Sequence, residues 1–318
     1  MAGIYIHIPF CKQKCHYCNF YTVISQKHRG QFIPAILKEL DKRKDYLEDK
    51  TIQTVYFGGG TPSVLDVQEI GQIIDRVDNL FELKKDAEIT LEANPDDLTA
   101  EKLLAWKNET PVNRLSMGVQ SFSDADLHYL NRVHTARESI QSIETAIASG
   151  FHNITIDLIY GIPTLTNEQW RKNLDTFFSF GLPHLSSYAL TVEPKTVLNT
   201  LIAKNKMQSV NEEQMVQHFE ILLEKTGQHH FTHYEISNFA KEGFYSKHNS
   251  IYWLGGHYLG IGPSAHSFNG VSRQWNVANM KQYVEFEKTG TPVLEKEVLS
   301  HAQQFNEYVM TSIRTSWG

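Results

Sequence analysis

Short apolar runs that suit β-strands alternate along most of this chain with longer amphipathic stretches. That rhythm sharply limits its folds. The strand-like runs cover residues 4–8, 54–57, 88–92, 114–119, 154–160 and 185–190. Between them, residues 32–47 carry Phe32, Ile36, Leu40 and Leu47 at helical spacing. Residues 67–80 follow a Ser63/Asp66 start, and residues 136–149 run up to Gly150, a natural C′ glycine. Residues 167–178 follow a turn at Pro163/Thr164. The alternation predicts a parallel sheet with helices outside it, as a barrel or an open doubly wound sheet.

After about Thr191 the rhythm weakens. Residues 211–225 read as a helix with Met215, Phe219, Leu222 and Leu223 on one side. An aromatic, glycine-rich region follows, from Phe244 to Phe268. Residues 301–314 read as a last helix. The chain stops soon after, at Trp317-Gly318, an ending that suits a fragment of a longer protein at least as well as a natural terminus.

At 318 residues the chain can bury a sizeable core. Its net charge of −6 argues against a dedicated nucleic-acid binder. No apolar run reaches the ~18 residues of a membrane span. No secretory signal precedes the first strand, so the cysteines are expected to be reduced in a cytoplasm.

The polar residues of interest follow the strands. The first strand leads into Cys11-Lys-Gln-Lys-Cys15-His-Tyr-Cys18, and the chain has only these three cysteines. The second leads into Gly58-Gly-Gly-Thr61-Pro62 and the third into Glu92-Ala-Asn-Pro95. The fourth leads into Gln120-Ser121, and Asp157 lies within the fifth. C-terminal strand ends carry the active sites of parallel α/β folds, so these residues are expected to share one cavity.

Three thiols in one loop suit a [4Fe–4S] cluster with one iron left for an outside ligand, because such a cluster normally takes four cysteines. The alternatives are a disulfide with an odd thiol, a zinc site completed by His16 or His7, and inert buried cysteines. The glycine run alone reads as a tight strand–helix turn; it lacks the features of a P-loop or a dinucleotide fingerprint. Glu92 could end a strand in solvent, Gln120 could cap a helix near Ser123, and Arg132 could form a surface ion pair. Asp157 is the strongest functional candidate, because an ionised carboxylate within Ile154-Thr-Ile-Asp-Leu-Ile-Tyr160 needs a partner.

The run Tyr5-Ile-His-Ile-Pro-Phe-Cys11 with Cys15-His-Tyr-Cys18 resembles the CxxxCxxC signature of radical S-adenosylmethionine proteins. The resemblance continues in order through Val55-Tyr-Phe-Gly-Gly-Gly-Thr-Pro-Ser63, Leu91-Glu-Ala-Asn-Pro-Asp96 and Arg114-Leu-Ser-Met-Gly-Val-Gln-Ser-Phe122. It extends to Leu130-Asn-Arg-Val-His134 and Asp157-Leu-Ile-Tyr-Gly-Ile-Pro163, covering nearly all of residues 1–270. Together these motifs look like the superfamily of oxygen-independent coproporphyrinogen III oxidases (HemN) and heme chaperones (HemW).

That resemblance implies an incomplete parallel (β/α) barrel over residues 1–226, followed by a smaller α+β segment over 227–318. Relatives continue beyond it into a helical C-terminal domain. It also implies that Cys11, Cys15 and Cys18 hold a [4Fe–4S] cluster whose fourth iron takes the amino and carboxylate groups of S-adenosylmethionine. Tyr5 and Tyr17 match cofactor-contact positions, and Gly59, Gly60 and Thr61 match the grip on the methionine part. Glu92, Gln120, Arg132 and Asp157 match the remaining contacts, with Asp157 suited to ribose hydroxyls and Arg132 to a carboxylate or the cluster. The general chemistry would be one-electron reduction of the cluster and homolysis of the sulfonium, with the protein orienting and excluding water.

Two features separate the branches. In the oxidase branch a further cysteine stands two positions after the third ligand, where this chain has Phe20, and an extension precedes the first strand. Both departures, and His248-Asn-Ser-Ile-Tyr252-Trp253, resemble the chaperone branch. His248 is then expected to contact heme, since imidazole ligates its iron and aromatic side chains pack on the macrocycle. The expected function is cytoplasmic binding of heme and its delivery to heme-requiring, for example respiratory, proteins. Its partners would be those acceptors and an electron donor, and a membrane acceptor would bring the chain to that surface. The alternative is the oxidase activity itself, decarboxylating coproporphyrinogen III to protoporphyrinogen IX.

Overall fold

The computed structural model describes residues 1–290 and 294–318. In chain order the first half holds β1 (Ala2–Ile8), α1 (Arg29–Arg43), β2 (Thr51–Gly59), α2 (Val67–Leu80), β3 (Glu82–Ala93) and α3 (Ala100–Glu109). It continues with β4 (Arg114–Gln120), α4 (Asp124–Leu130), α5 (Ala136–Ala148), β5 (Ile154–Tyr160), α6 (Asn167–Ser179) and β6 (His184–Ala189). The rest comprises α7 (Val197–Ala203), α8 (Glu212–Gln228), β7 (Thr232–Glu235), β8 (Asn238–Ala240), α9 (Lys247–Trp253) and β9 (His257–Ile261). The last elements are β10 (His266–Phe268), β11 (Ser272–Asn276), α10 (Met280–Thr289), β12 (Leu294–Val298) and α11 (His301–Ser312).

β1 to β6 pair in sequence order, all parallel, each crossing over through helices. The sheet stays open, with the order β12-β11-β10-β9-β1-β2-β3-β4-β5-β6-β8-β7. It is an incomplete parallel (β/α) barrel with added strands on both edges. Both come from residues after 226: β9 pairs parallel with β1, and β8 pairs antiparallel with β6.

The strands read as apolar runs because both faces are covered. Ile4, Ile6, Ile8, Val55, Phe57, Leu91, Leu115 and Ile156 have no or almost no exposure. Helix starts follow local chemistry. α2 opens on a capping box between Asp66 and Glu69, and α5 on one between Thr135 and Glu138. α5 ends, as its sequence predicts, just before Gly150 at φ +87°. α1 differs from the expected 32–47: it starts at Arg29 and stops at Arg43, so Leu47 packs into the core from beyond the helix. No helix among the described residues is long and apolar enough to cross a membrane.

Candidate functional site

The C-terminal ends of β1 to β6 open onto a cavity of about 660 Å³. The loop after β1 forms one wall. It is pinned by Cys11 N–H to Val23 O (3.0 Å), His16 N–H to Leu130 O (3.1 Å) and Leu198 N–H to His16 O (2.8 Å). Cys11, Cys15 and Cys18 all line the cavity and all are free thiols. Burial pushes the Cys11 thiol up to about 11 and raises that of Cys18. Like-charge repulsion from Cys18 and Cys15 raises the Cys11 thiol further, and a cationic partner held between the thiolates would relieve it.

The two histidines that could complete a zinc site point elsewhere. His7 Nε2 lies 2.9 Å from Tyr21 O, and His16 Nδ1 2.9 Å from Tyr129 O. No three His, Cys, Asp or Glu among the described residues converge tightly enough for a single ion. A cluster asks for something wider, since each thiolate meets its own iron. The donor set therefore fits a cluster better than a closed zinc site.

The glycine turn lies opposite. Gly59 holds φ +106°, and a Cβ there would sit 2.5 Å from the His7 ring, so only glycine fits. Its N–H donates to Glu92 Oε2 (3.1 Å), while Glu92 Oε1 accepts from Tyr56 O–H (2.8 Å). Burial pushes the Glu92 carboxyl up to about 7 and that of Asp157 up to about 6, with Ser186 on the neighbouring strand opposing the second shift. Thr61 Oγ1 donates to Cys11 Sγ (3.5 Å) and accepts from Asn94 Nδ2 (3.1 Å).

Arg132 reaches in from the loop after α4. Its Nη1 donates to Cys15 Sγ (3.3 Å), and Nη2 to Asn94 Oδ1 (2.6 Å) and Gly118 O (2.7 Å). Its Nε is buried without a partner, a spare donor beside the thiols. It is not the exposed ion pair of the alternative reading. Gln120 ends β4 at φ +70°, where the β4–β5 register is irregular. A non-glycine residue in that region costs on the order of 1–3 kcal/mol, a strain that clusters at functional sites.

Tyr17, Gly59, Gly60, Thr61, Glu92, Gln120, Arg132 and Asp157 thus share one cavity with the three cysteines. Tyr5 and His248 do not line it. Tyr5 stacks behind the glycine turn on Tyr56, ring centroids 6.1 Å apart. His248 is buried in α9 with both ring nitrogens hydrogen-bonded. Sequence reasoning passed over Asn94, which joins Arg132 to Thr61, although it stands inside the quoted motif Leu91-Glu-Ala-Asn-Pro-Asp96. It also passed over Tyr188 near the end of β6, where only its place close to a C-terminal strand end was a signal.

The radical SAM superfamily matches residues 5–177. The heme chaperone HemW of Bacillus subtilis (strain 168) is 37% identical over 322 residues, covering 100% of this chain and 84% of the relative. HemW of Lactococcus lactis subsp. lactis (strain IL1403) is 35% identical over 316 residues, covering 99% and 82%. The structure of coproporphyrinogen III oxidase (HemN) from Escherichia coli superposes with a TM-score of 0.83 at 23% identity, covering 99% of this chain and 75% of that one. That superposition carries the fold, and the sequence relatives carry the rest: the chain belongs to the heme chaperone HemW family, within the HemN-like branch of the radical SAM superfamily.

Proposed function

We propose that the protein binds heme and delivers it to heme-requiring proteins, and that its cavity holds a [4Fe–4S] cluster with S-adenosylmethionine. The observation that carries the cofactor part is the convergence of the three thiols, the glycine turn and the polar strand ends on one cavity. Cys11, Cys15 and Cys18 would hold the cluster. Gly59, Gly60, Thr61, Tyr17, Glu92, Gln120, Arg132 and Asp157 would hold S-adenosylmethionine, with Tyr5 behind them. When bound, this pair supplies one-electron chemistry.

The residues have distinct tasks. Arg132 places positive charge and its spare Nε donor next to Cys15. Glu92 fixes the Gly59 peptide, and Asp157 offers a carboxylate to hydroxyl donors. Residues 1–226 supply most of the cavity wall in this reading, joined at the rim by Ile236 and Ser237, and residues 227–318, apart from the undescribed 291–293, cover both sheet edges.

The rim supports a large flat apolar ligand. Phe20, Val133 and Ile236 line the cavity yet are 62%, 52% and 53% exposed. Lys14 lines it too and makes no ion pair among the described residues, which suits a ligand with carboxylates. The second reading, porphyrinogen oxidase, shares this cavity but would place the ligand as substrate. An anaerobic assay on reconstituted protein separates them. The chaperone reading predicts stable heme uptake and transfer to an apo-heme protein without conversion of coproporphyrinogen. Conversion with release of 5′-deoxyadenosine contradicts it.

A further inference from the structure

His248 lies at the other end of an aromatic and hydrogen-bonded chain that leads to the glycine turn. Its Nδ1 is 2.7 Å from Thr54 Oγ1 on β2, and its Nε2 is 3.0 Å from Tyr252 Oη on the same helix. The imidazole stacks on Tyr56 with ring centroids 5.0 Å apart and an interplanar angle of 26°. Tyr5 stacks on Tyr56 as well, at 6.1 Å. Tyr56 is thereby held as its O–H meets Glu92 Oε1 at 2.8 Å, and Glu92 Oε2 holds the Gly59 N–H.

The helix itself is wedged in place. Glu88 accepts from Lys247 N–H (3.1 Å) and His248 N–H (3.0 Å). A Cβ on Gly3 would collide with Thr54 Oγ1 and come within 2.8 Å of Ile251 Cδ1, so α9 sits as close to β1 as glycine permits. Glu92 is a half-buried carboxylate held by two donors, and losing one leaves it poorly satisfied and free to turn.

We propose that His248 is a positioning residue for the cofactor: through Tyr56 and Glu92 it fixes the Gly59 peptide that grips S-adenosylmethionine. This rests on the cofactor reading of the cavity. Loss of the relay loosens the turn without removing any group that touches the cofactor.

The test uses the full chain with its cluster reconstituted anaerobically. S-Adenosylmethionine affinity is measured by equilibrium dialysis, heme uptake by absorption, and the melting temperature on the cluster-free protein. Tyr56→Phe removes only the O–H and is expected to weaken S-adenosylmethionine binding roughly tenfold. His248→Ala should do the same, while His248→Phe, which keeps a stacked ring, should restore most of the affinity. Heme spectra should match the wild type throughout. If His248→Ala fails to fold, Tyr56→Phe and His248→Phe still decide the matter. Unchanged affinity in Tyr56→Phe overturns the relay, and so does a heme spectrum altered by His248→Phe at unchanged S-adenosylmethionine affinity. A wild-type protein that binds no S-adenosylmethionine overturns the cofactor reading instead.

Discussion

Beneath α1, Glu39 and Arg43 pair at 2.9 Å with side-chain exposures of only 1% and 5%. The partners are complete there. Arg43 also donates to Gly260 O (2.7 Å), Ser267 Oγ (2.8 Å) and Gln274 Oε1 (2.9 Å). Glu39 accepts from Asn276 Nδ2 (2.7 Å), Tyr283 O–H (2.7 Å) and Gly262 N–H (2.9 Å). This clasp ties α1 to β9, β10, β11 and α10. The cavity buries charge in the opposite manner. Arg132 Nε has no partner, Gln120 is strained, and burial pushes the carboxyls of Glu92 and Asp157 upward. One polar cluster is closed on itself and structural, and the other has capacity left over for a ligand.

The contrast is broken most sharply at the cysteines. Alanine at Cys11, Cys15 or Cys18 should abolish iron–sulfur absorption after reconstitution. The unfolding free energy of the cluster-free protein in urea should barely move, by about 1 kcal/mol or less, since the thiols are only partly buried.

The clasp should behave in reverse. Glu39→Ala strands Arg43 as an unpaired buried charge and should cost about 3–5 kcal/mol of stability in urea unfolding. The folded fraction should keep its iron–sulfur absorption.

Asp157 sharpens the comparison through pH. Its carboxyl is raised from 3.8 to about 6 in the folded protein. The folded state therefore holds the proton more tightly, and stability is lost as pH rises from about 4 to 6, staying lost above that. In the cluster-free protein Asp157→Asn should be more stable than wild type at pH 8, on the order of 1–3 kcal/mol, with the gain vanishing below about pH 4. The same variant should bind S-adenosylmethionine more weakly. A gain of equal size at both pH values contradicts the burial argument.

The smallest effect belongs to neither region. Arg171 and Glu224 pair at 2.9 Å with side-chain exposures of 43% and 49%. Arg171→Ala should change stability by about 0.5 kcal/mol or less, and by less still in high salt.

The parallel strands were legible because burial on both faces makes them continuous apolar runs, as in Ile154-Thr-Ile-Asp-Leu-Ile-Tyr160. α3 was not singled out, because only Leu103 and Trp106 mark its buried side over a short helix. β9 and β10 were hidden in the glycine-rich stretch, since both strands are short and β9, on which β10 pairs, is itself paired with β1, far away in sequence. At the site, residues just after strands were legible from position alone, and the shared motifs gave them roles. Distances between strands were not legible: no pattern in the sequence says that Asn94 bridges Arg132 and Thr61, or that His248 stacks on Tyr56.

The central claim is that the cavity is completed by a cluster with one iron open to S-adenosylmethionine. Electron paramagnetic resonance of the reduced, reconstituted protein tests it directly. Adding S-adenosylmethionine should change the cluster's spectrum in the wild type, and Asp157→Asn should need more of it for the same change. A spectrum that ignores saturating S-adenosylmethionine, or three thiols that hold some other metal, would contradict the account.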